Sequence, residues 1–317
     1  MKIVIAALFF TVILTSPKEL SAYEQPDTSG KYQKLVSKGF LFIYNNEFKQ
    51  ADSTATSLLT NYPKNPTSHF FYVNYYWWKI LTGDDTKEVR KKFITGILIE
   101  KKILDKKEKK SLSYEDIFNY MNVYAYQARM DLINNNYIRA VSHVDKCIGY
   151  LKLSFQHENK YDAFYLTSGL YHYFISRAHS HYPFLYPYLI FLPPSNLEKG
   201  FQYLVKCTAL NNVVLQTEAN YFLMKIYYEE EKEYKKAIPY AEWLSKTYPK
   251  NILYNYMYLK ILLNLNEKNA VEKQFQKLII QTAQNDELTE NQKKHYINFA
   301  KKDMENYYKE LSSEKQK

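Results

Sequence analysis

Three histidines and two cysteines are the side chains best suited to chemistry in this chain. His172 and His179 are seven residues apart, so a continuous helix would place them on one face, with His181 close by. Together they could hold a metal ion, but no carboxylate falls between them at ligand spacing, so we expect packed or solvated histidines and no cofactor. Cys147 and Cys207 have no metal or redox spacing, and we expect two buried thiols, with a single disulfide as the alternative.

Motifs of the common catalytic classes are absent from the sequence. Only 7 of 317 residues are glycine, and the closest two, Gly30 and Gly39, are nine positions apart, which excludes glycine-rich phosphate loops. The patterns G-x-S-x-G, H-E-x-x-H and C-x-x-C do not occur. The sequence therefore predicts a protein that is not an enzyme.

A repeated pattern indicates the elements that position these residues. Residues 47–51, with Tyr-Pro-Lys-Asn at 62–65, recur 186 positions later as 233–237, with Tyr-Pro-Lys-Asn at 248–251. An aromatic residue is followed by alanines three and seven positions later, and these fall on one helix face. Small side chains on that face allow a neighbouring helix to approach closely, and the Tyr-Pro turn ends the helix because proline lacks the amide donor.

This pattern resembles the tetratricopeptide repeat, a helix–turn–helix unit of 34 residues. The resemblance implies an all-α, right-handed solenoid of antiparallel helix pairs at about 31–61, 66–105, 112–153, 161–210, 213–248 and 250–283, with a capping helix at about 287–312. We expect one domain over residues 31–313. In the register of that family, six side chains would face the concave groove and bind a partner there: Phe70, Asn74, Trp77, Trp78, Arg129 and Tyr173.

The segment 180–194 interrupts the fourth pair with an apolar, proline-rich insertion. No formal charge occurs from Ala178 to Leu197, and four prolines exclude a regular helix. The segment either folds over the protein's own core or forms an exposed loop that binds a partner protein or enters a lipid interface. In the second case its contact residues would be Phe184, Tyr186, Tyr188 and Phe191.

The N-terminus and the charge indicate where the protein acts. Residues 3–15 are uncharged and mostly apolar, too short to span a bilayer, and Leu20-Ser21-Ala22 is a small-residue exit. We expect a signal peptide at 1–22, a disordered start at 23–30, and a periplasmic or secreted protein. The net charge is +10, but only four residues are arginine, so we do not expect nucleic acid as a partner. Lysines crowd residues 87–110, which are either a solvated helix end or a peripheral contact with an anionic membrane or envelope surface.

Two functions fit these features. The first is an exported adaptor that binds a protein or peptide in its groove and through the 180–194 loop. The second is a binding protein for a small or lipidic ligand in an aromatic-lined groove. An open groove would favour the adaptor, whereas an enclosed apolar cavity would favour the ligand carrier.

Overall fold

The computed structural model describes residues 30–181 and 189–314, without the side chains of 179–181 and 314. The predicted signal peptide at 1–22, the predicted disordered residues 23–29 and the centre of the apolar insertion, 182–188, lie outside the described residues. Gly30, the last residue of the predicted disordered start, instead begins the first helix.

The described part of the chain contains thirteen α-helices and no β-strand, so the predicted all-α class with tetratricopeptide-like helix pairs is confirmed. Each predicted pair is observed, with ends that differ by only a few residues. The helices are α1 Gly30–Tyr44, α2 Phe48–Asn61, α3 Pro66–Leu81, α4 Lys87–Leu104, α5 Tyr114–Ile133, α6 Tyr137–Leu151, α7 Ala163–His181, α8 Leu197–Thr208, α9 Val213–Lys225, α10 Tyr234–Thr247, α11 Ile252–Leu265, α12 Lys268–Gln284 and α13 Glu290–Glu314.

The repeated Tyr-Pro-Lys-Asn sequence forms the same turn at both of its positions. The amide of Asn65 donates to the Tyr62 carbonyl at 3.1 Å, and the amide of Asn251 donates to the Tyr248 carbonyl at 3.0 Å. The side chain of Asn251 then accepts from the Tyr254 amide and caps α11. This turn therefore ends one helix pair and starts the next.

A residue in the left-handed conformation closes the turn inside most pairs. These residues have φ between 54° and 95° and lie between the two helices of five pairs: Asn46, Gly83, Asn135, Lys232 and Asn266. Asparagine and glycine tolerate this conformation better than other residues, which explains four of the five. Lys232 has no such tolerance, so its turn is strained.

The two helices of the fourth pair, α7 and α8, pack in antiparallel directions at very short range. A Cβ atom added to Gly200 would lie 2.8 Å from the amide nitrogen of Tyr173 and 3.1 Å from the carbonyl oxygen of Gly169. Tyr165, earlier on α7, contacts Tyr203, later on α8. Glycine is required at this crossing because any side chain would force the backbones apart.

The described residues form two compact units, and neither is a continuous stretch of chain. The first unit comprises 30–37, 57–73, 93–181 and 189–219, and the second comprises 38–56, 74–92 and 220–314. The single-domain expectation stays a prediction.

The core of the second unit includes the predicted capping helix, α13. Its buried side chains Ala300, Met304 and Tyr307 pack against Leu259 and Leu262 of α11. These three residues follow one another at three- and four-residue steps, so one face of the helix is buried.

Candidate functional site

Four side chains that the repeat register assigns to a groove are buried on α3. Phe70 and Asn74 have no exposed surface, and Trp77 and Trp78 have almost none. The expected exposure of these four side chains in a concave groove is therefore not observed. Their contact with a partner stays a prediction, and in this conformation they offer a partner no surface.

Other aromatic rings cover Trp78 within the second unit. The ring centroids of Tyr44, Tyr221 and Tyr254 lie 5.5, 6.2 and 5.4 Å from that of Trp78. Rings at these distances and tilts stabilise one another beyond the apolar area that they bury. The aromatic residues that a groove would have used therefore fill a core.

The two remaining groove residues lie in the first unit. Tyr173 is fully buried and packs edge-on against Phe201, 5.3 Å between ring centroids. Arg129 on α5 is half-buried. Burial raises the pKa of Tyr126 well above its usual value, and the charge of Arg129 acts in the opposite direction. The charge of Arg129 thus acts on a buried phenol one turn away on its own helix.

The end of the apolar insertion forms an exposed tip. The amide of Leu192 donates to the carbonyl of Leu189 at 3.0 Å, and this tight turn projects the two residues between them. Ile190 is 55% exposed and Phe191 is 77% exposed, whereas Leu189 is buried. We call residues 189–192 the apolar tip.

Two contacts hold this tip at the C-terminal end of the turn. Leu192 packs against the cluster formed by Ala128, Ala140, Val144 and Ile148 on α5 and α6. Directly after the tip, the Tyr171 hydroxyl donates to the Pro193 carbonyl at 2.6 Å. An anchored turn presents its exposed side chains in a fixed place, which lowers the entropic cost of binding.

Further exposed apolar residues lie on α6, the helix that Leu192 contacts. Ile138 and Val141 are both exposed there. Of the predicted loop residues, the structure therefore describes Phe191 as exposed, while Phe184, Tyr186 and Tyr188 lie outside the described residues. The exposure of Ile138 and Val141 could not be predicted from the sequence, because Ile138, Val141 and Val144 follow one another at the three-residue steps of a buried helix face.

His172 has a structural role beside this tip. Its Nδ1 accepts from the backbone amide of Asn196 at 3.3 Å, so the proton of the neutral ring lies on Nε2. Burial lowers the pKa of His172, and the nearby Lys199 lowers it further. The side chains of His179 and His181 are not described. Within the described residues no three His, Cys, Asp or Glu side chains come together as a metal site would require.

Both cysteines are free thiols in the structure; Cys207 is buried as predicted, whereas Cys147 is only half-buried. Burial raises the pKa of the Cys147 thiol to about 12 and that of the Cys207 thiol further. His143 lies four residues before Cys147, but its Nδ1 is 2.8 Å from the Asp131 carboxylate. These thiols are therefore protonated at neutral pH and are poor nucleophiles.

A depression with a volume of about 720 Å³ lies between α12 and α13 in the second unit. It is open and has a mixed lining of Asn269, Glu272, Lys273, Phe275, Gln276, Met304 and Tyr308. None of the predicted groove residues borders it. Its openness and mixed lining differ from the enclosed apolar cavity of a lipid carrier.

The fold and these surfaces define an all-α protein of paired, tetratricopeptide-like helices with an exposed, anchored apolar tip. Within the described residues no helix has the length and apolar character needed to cross a bilayer. No protein-family model matches the sequence, and no curated protein matches it. Among solved structures, the crystal structure of the yeast Tom70 is similar over 95% of this chain and 69% of that chain, with 14% identity and a TM-score of 0.35. At this TM-score the similarity supports no inference, and the fold class rests on the helix pairs themselves.

Proposed function

We propose that the chain is an exported, non-enzymatic helical scaffold that binds a protein partner through the apolar tip. The observation that carries this proposal is the exposure of Ile190 and Phe191 on an anchored turn. A large apolar ring that is fixed in place and surrounded by water loses little entropy and gains much buried area when a partner covers it. Aromatic anchors of this kind dominate the affinity of many protein interfaces.

Export and the lack of catalysis belong to the same proposal. The apolar residues 3–15 support export, and cleavage after Ala22 would leave a protein of 295 residues. The protonated cysteines, of which Cys207 is buried and Cys147 half-buried, and the hydrogen-bonded His172 support a non-enzymatic role, because neither thiol is an activated nucleophile and the His172 Nδ1 is already engaged. Mass spectrometry of the exported protein would establish its N-terminus.

The alternative is a binding protein for a small or lipidic ligand in an aromatic-lined groove. That function needs aromatic rings that face open space. The aromatic rings on α3 at positions 70, 77 and 78 are buried instead, so we give the protein partner precedence.

Site-specific photocrosslinking tests the partner-binding function. A benzoylphenylalanine is placed at Phe191 in the full-length chain, and a matched one at Phe299, an exposed ring on α13. We expect irradiation of the exported fraction to give an adduct with one protein from position 191 only. Replacing Ile190 with Asp in the same chain should abolish that adduct while the far-UV circular dichroism stays unchanged. Equal adducts from both positions, or none from position 191, would contradict the proposal.

A further inference from the structure

Helix α4 has one buried face and one face that no described residue covers. Val89, Phe93, Ile97, Glu100 and Leu104 form the buried stripe, at the three- and four-residue steps of a helix. On the outward face of the same helix, three large aliphatic side chains are exposed: Ile94, Leu98 and Ile99. Single exposed aliphatic residues are common, but three on the outward face of one helix form an apolar patch.

Lysines follow these aliphatic residues on the same helix and continue beyond its end. Lys102 lies one turn after Leu98 on the same face, and Lys106, Lys109 and Lys110 follow in the exposed segment before α5. None of these four forms an ion pair within the described part of the chain. Their neighbours Lys101 and Lys107 do form ion pairs, with Asp105 and Asp116. We call the three aliphatic residues and the four unpaired lysines the lysine–aliphatic face.

We propose that the lysine–aliphatic face docks the protein on the surface of an anionic phospholipid bilayer. An amphipathic helix binds such a surface when its aliphatic side chains enter the boundary between headgroups and acyl chains. Lysines beside them stay at the level of the lipid phosphates, because their long stems let the ammonium groups reach the headgroups. The face combines both features on one helix and the segment that follows it.

The composition of the face favours a bilayer over an acidic protein. Protein interfaces that bind carboxylates use arginine, whose planar fork pairs with both oxygens, and they are anchored by tryptophan or tyrosine. The lysine–aliphatic face contains none of these three residue types. The only arginine on α4, Arg90, is engaged by Asp85. The aliphatic side chains and lysines of this face form no pocket for a specific side chain of a partner protein. They are suited to a lipid bilayer, whose headgroups and acyl chains have no fixed positions.

Sedimentation with lipid vesicles tests this proposal. The whole chain, purified after export, is mixed with vesicles of phosphatidylcholine containing 30% phosphatidylglycerol, and separately with vesicles of phosphatidylcholine alone. We expect binding to the anionic vesicles, weakening as salt is raised, and at least tenfold weaker binding to the neutral ones. Residues 3–15 are apolar and would themselves bind vesicles if they were retained. Mass spectrometry therefore establishes the N-terminus of the purified protein, and all variants are compared with the same N-terminus.

Two pairs of matched variants separate the face from general charge and hydrophobicity. The double variant Lys102→Gln and Lys109→Gln should weaken binding to the anionic vesicles about 25-fold, or about fivefold for each lysine. The control double variant, Lys301→Gln and Lys302→Gln on α13, removes the same charge and should change that binding less than twofold. Leu98→Asn should weaken binding several-fold, whereas Ile280→Asn should not; the two residues are 54% and 51% exposed.

Three results would overturn the proposal. Equal binding to neutral vesicles would show that charge does not direct docking. Equal effects of the two lysine pairs would show that net charge, and not this face, attracts the protein. Binding to polyglutamate as tight as to anionic vesicles, and insensitive to Leu98→Asn, would assign the face to an acidic protein surface.

Discussion

The side-chain oxygen of Asn46 accepts a hydrogen bond from the backbone amide of Ile252 at 3.0 Å, although the two residues are 206 positions apart. Asn46 lies in the turn between α1 and α2, and Ile252 is the first residue of α11. The first helix pair thus supplies a cap to a helix of the sixth pair.

Neighbouring residues strengthen this long-range contact within the second unit. The Asn251 amide group donates to the Tyr44 carbonyl at 2.6 Å, and the Lys250 ammonium lies 2.6 Å from the Glu47 carboxylate. Repeat arrays are held mainly by contacts between adjacent repeats. In this protein the turn of the first pair is also held by the sixth pair, five repeats further along the chain.

Removing the Asn46 side chain should destabilise the protein through this bond. Glycine tolerates the left-handed conformation, so Asn46→Gly keeps the turn and removes only the side-chain oxygen that accepts from the Ile252 amide. The buried amide of Ile252 would be left without a partner, and we expect the free energy of unfolding to fall by about 1–3 kcal/mol. Urea denaturation followed by circular dichroism measures the change.

Asn135→Gly is the matched control for that substitution. Asn135 has φ 60°, close to the 54° of Asn46, but its side chain only accepts from the exposed Tyr137 hydroxyl. We expect Asn135→Gly to change the free energy of unfolding by no more than about 0.5 kcal/mol. Equal losses in the two variants would show that the turn, and not the long-range bond, carries the effect.

The crossing of α7 and α8 gives a second prediction. Gly200→Ala would place a methyl group 2.8 Å from the Tyr173 backbone, and we expect a loss of about 1–3 kcal/mol in urea denaturation. Gly149→Ala on α6 meets nothing within 4 Å and should stabilise the protein by about 0.5–1 kcal/mol, because alanine is the better helix former. If Gly200→Ala leaves the free energy of unfolding unchanged, α7 and α8 can move apart at little cost.

The helix pairs could be predicted from the sequence because their signals are local. The Tyr-Pro turns at 62–63 and 248–249, and the spacing of aromatic residues and alanines, act within a few residues of themselves. The left-handed residues Asn46, Asn135 and Asn266 were missed. They could have been found, because each is an asparagine that lies two positions before a helix start.

The candidate site was less predictable because burial depends on distant parts of the chain. Trp78 is covered by Tyr221 and Tyr254, which follow it by more than 140 residues, and a repeat register describes only neighbouring helices. Phe191 is the opposite case. Its neighbourhood has no charge and four prolines, so the sequence indicated an irregular apolar segment, and the structure describes its end as the exposed tip.

Glu100 gives a prediction that depends on pH. It is buried on α4, its Oε1 has no hydrogen-bond partner, and burial raises its pKa well above the usual value. The folded protein therefore keeps a proton that the unfolded chain releases above about pH 4.5. Because the folded state binds more protons, this residue lowers stability as pH rises, by up to about 1.4 kcal/mol per unit between the two pKa values.

Glu100→Gln should remove that loss. We expect the variant to be more stable than the parent at pH 7.5 and nearly equal to it at pH 4.5, in urea denaturation at both values. Glu305→Gln, at an exposed position of α13, is the control and should show no such difference between the two pH values. A Glu100→Gln variant that is less stable at pH 7.5 would mean that the carboxylate is ionised and paired in the folded protein.

Thiol titration tests the state of the two cysteines. Burial keeps Cys147 and Cys207 protonated, with a pKa of about 12 for Cys147, so we expect no reaction with an aromatic disulfide reagent at pH 8 in the native protein. In 8 M urea without reductant, two thiols per chain should react. No reactive thiol in urea would show that the cysteines form a disulfide, and one fast-reacting thiol in the native protein would show that an accessible, activated cysteine exists. The second outcome would reopen the question of catalysis, because an activated thiol is the one nucleophile that these two residues could supply.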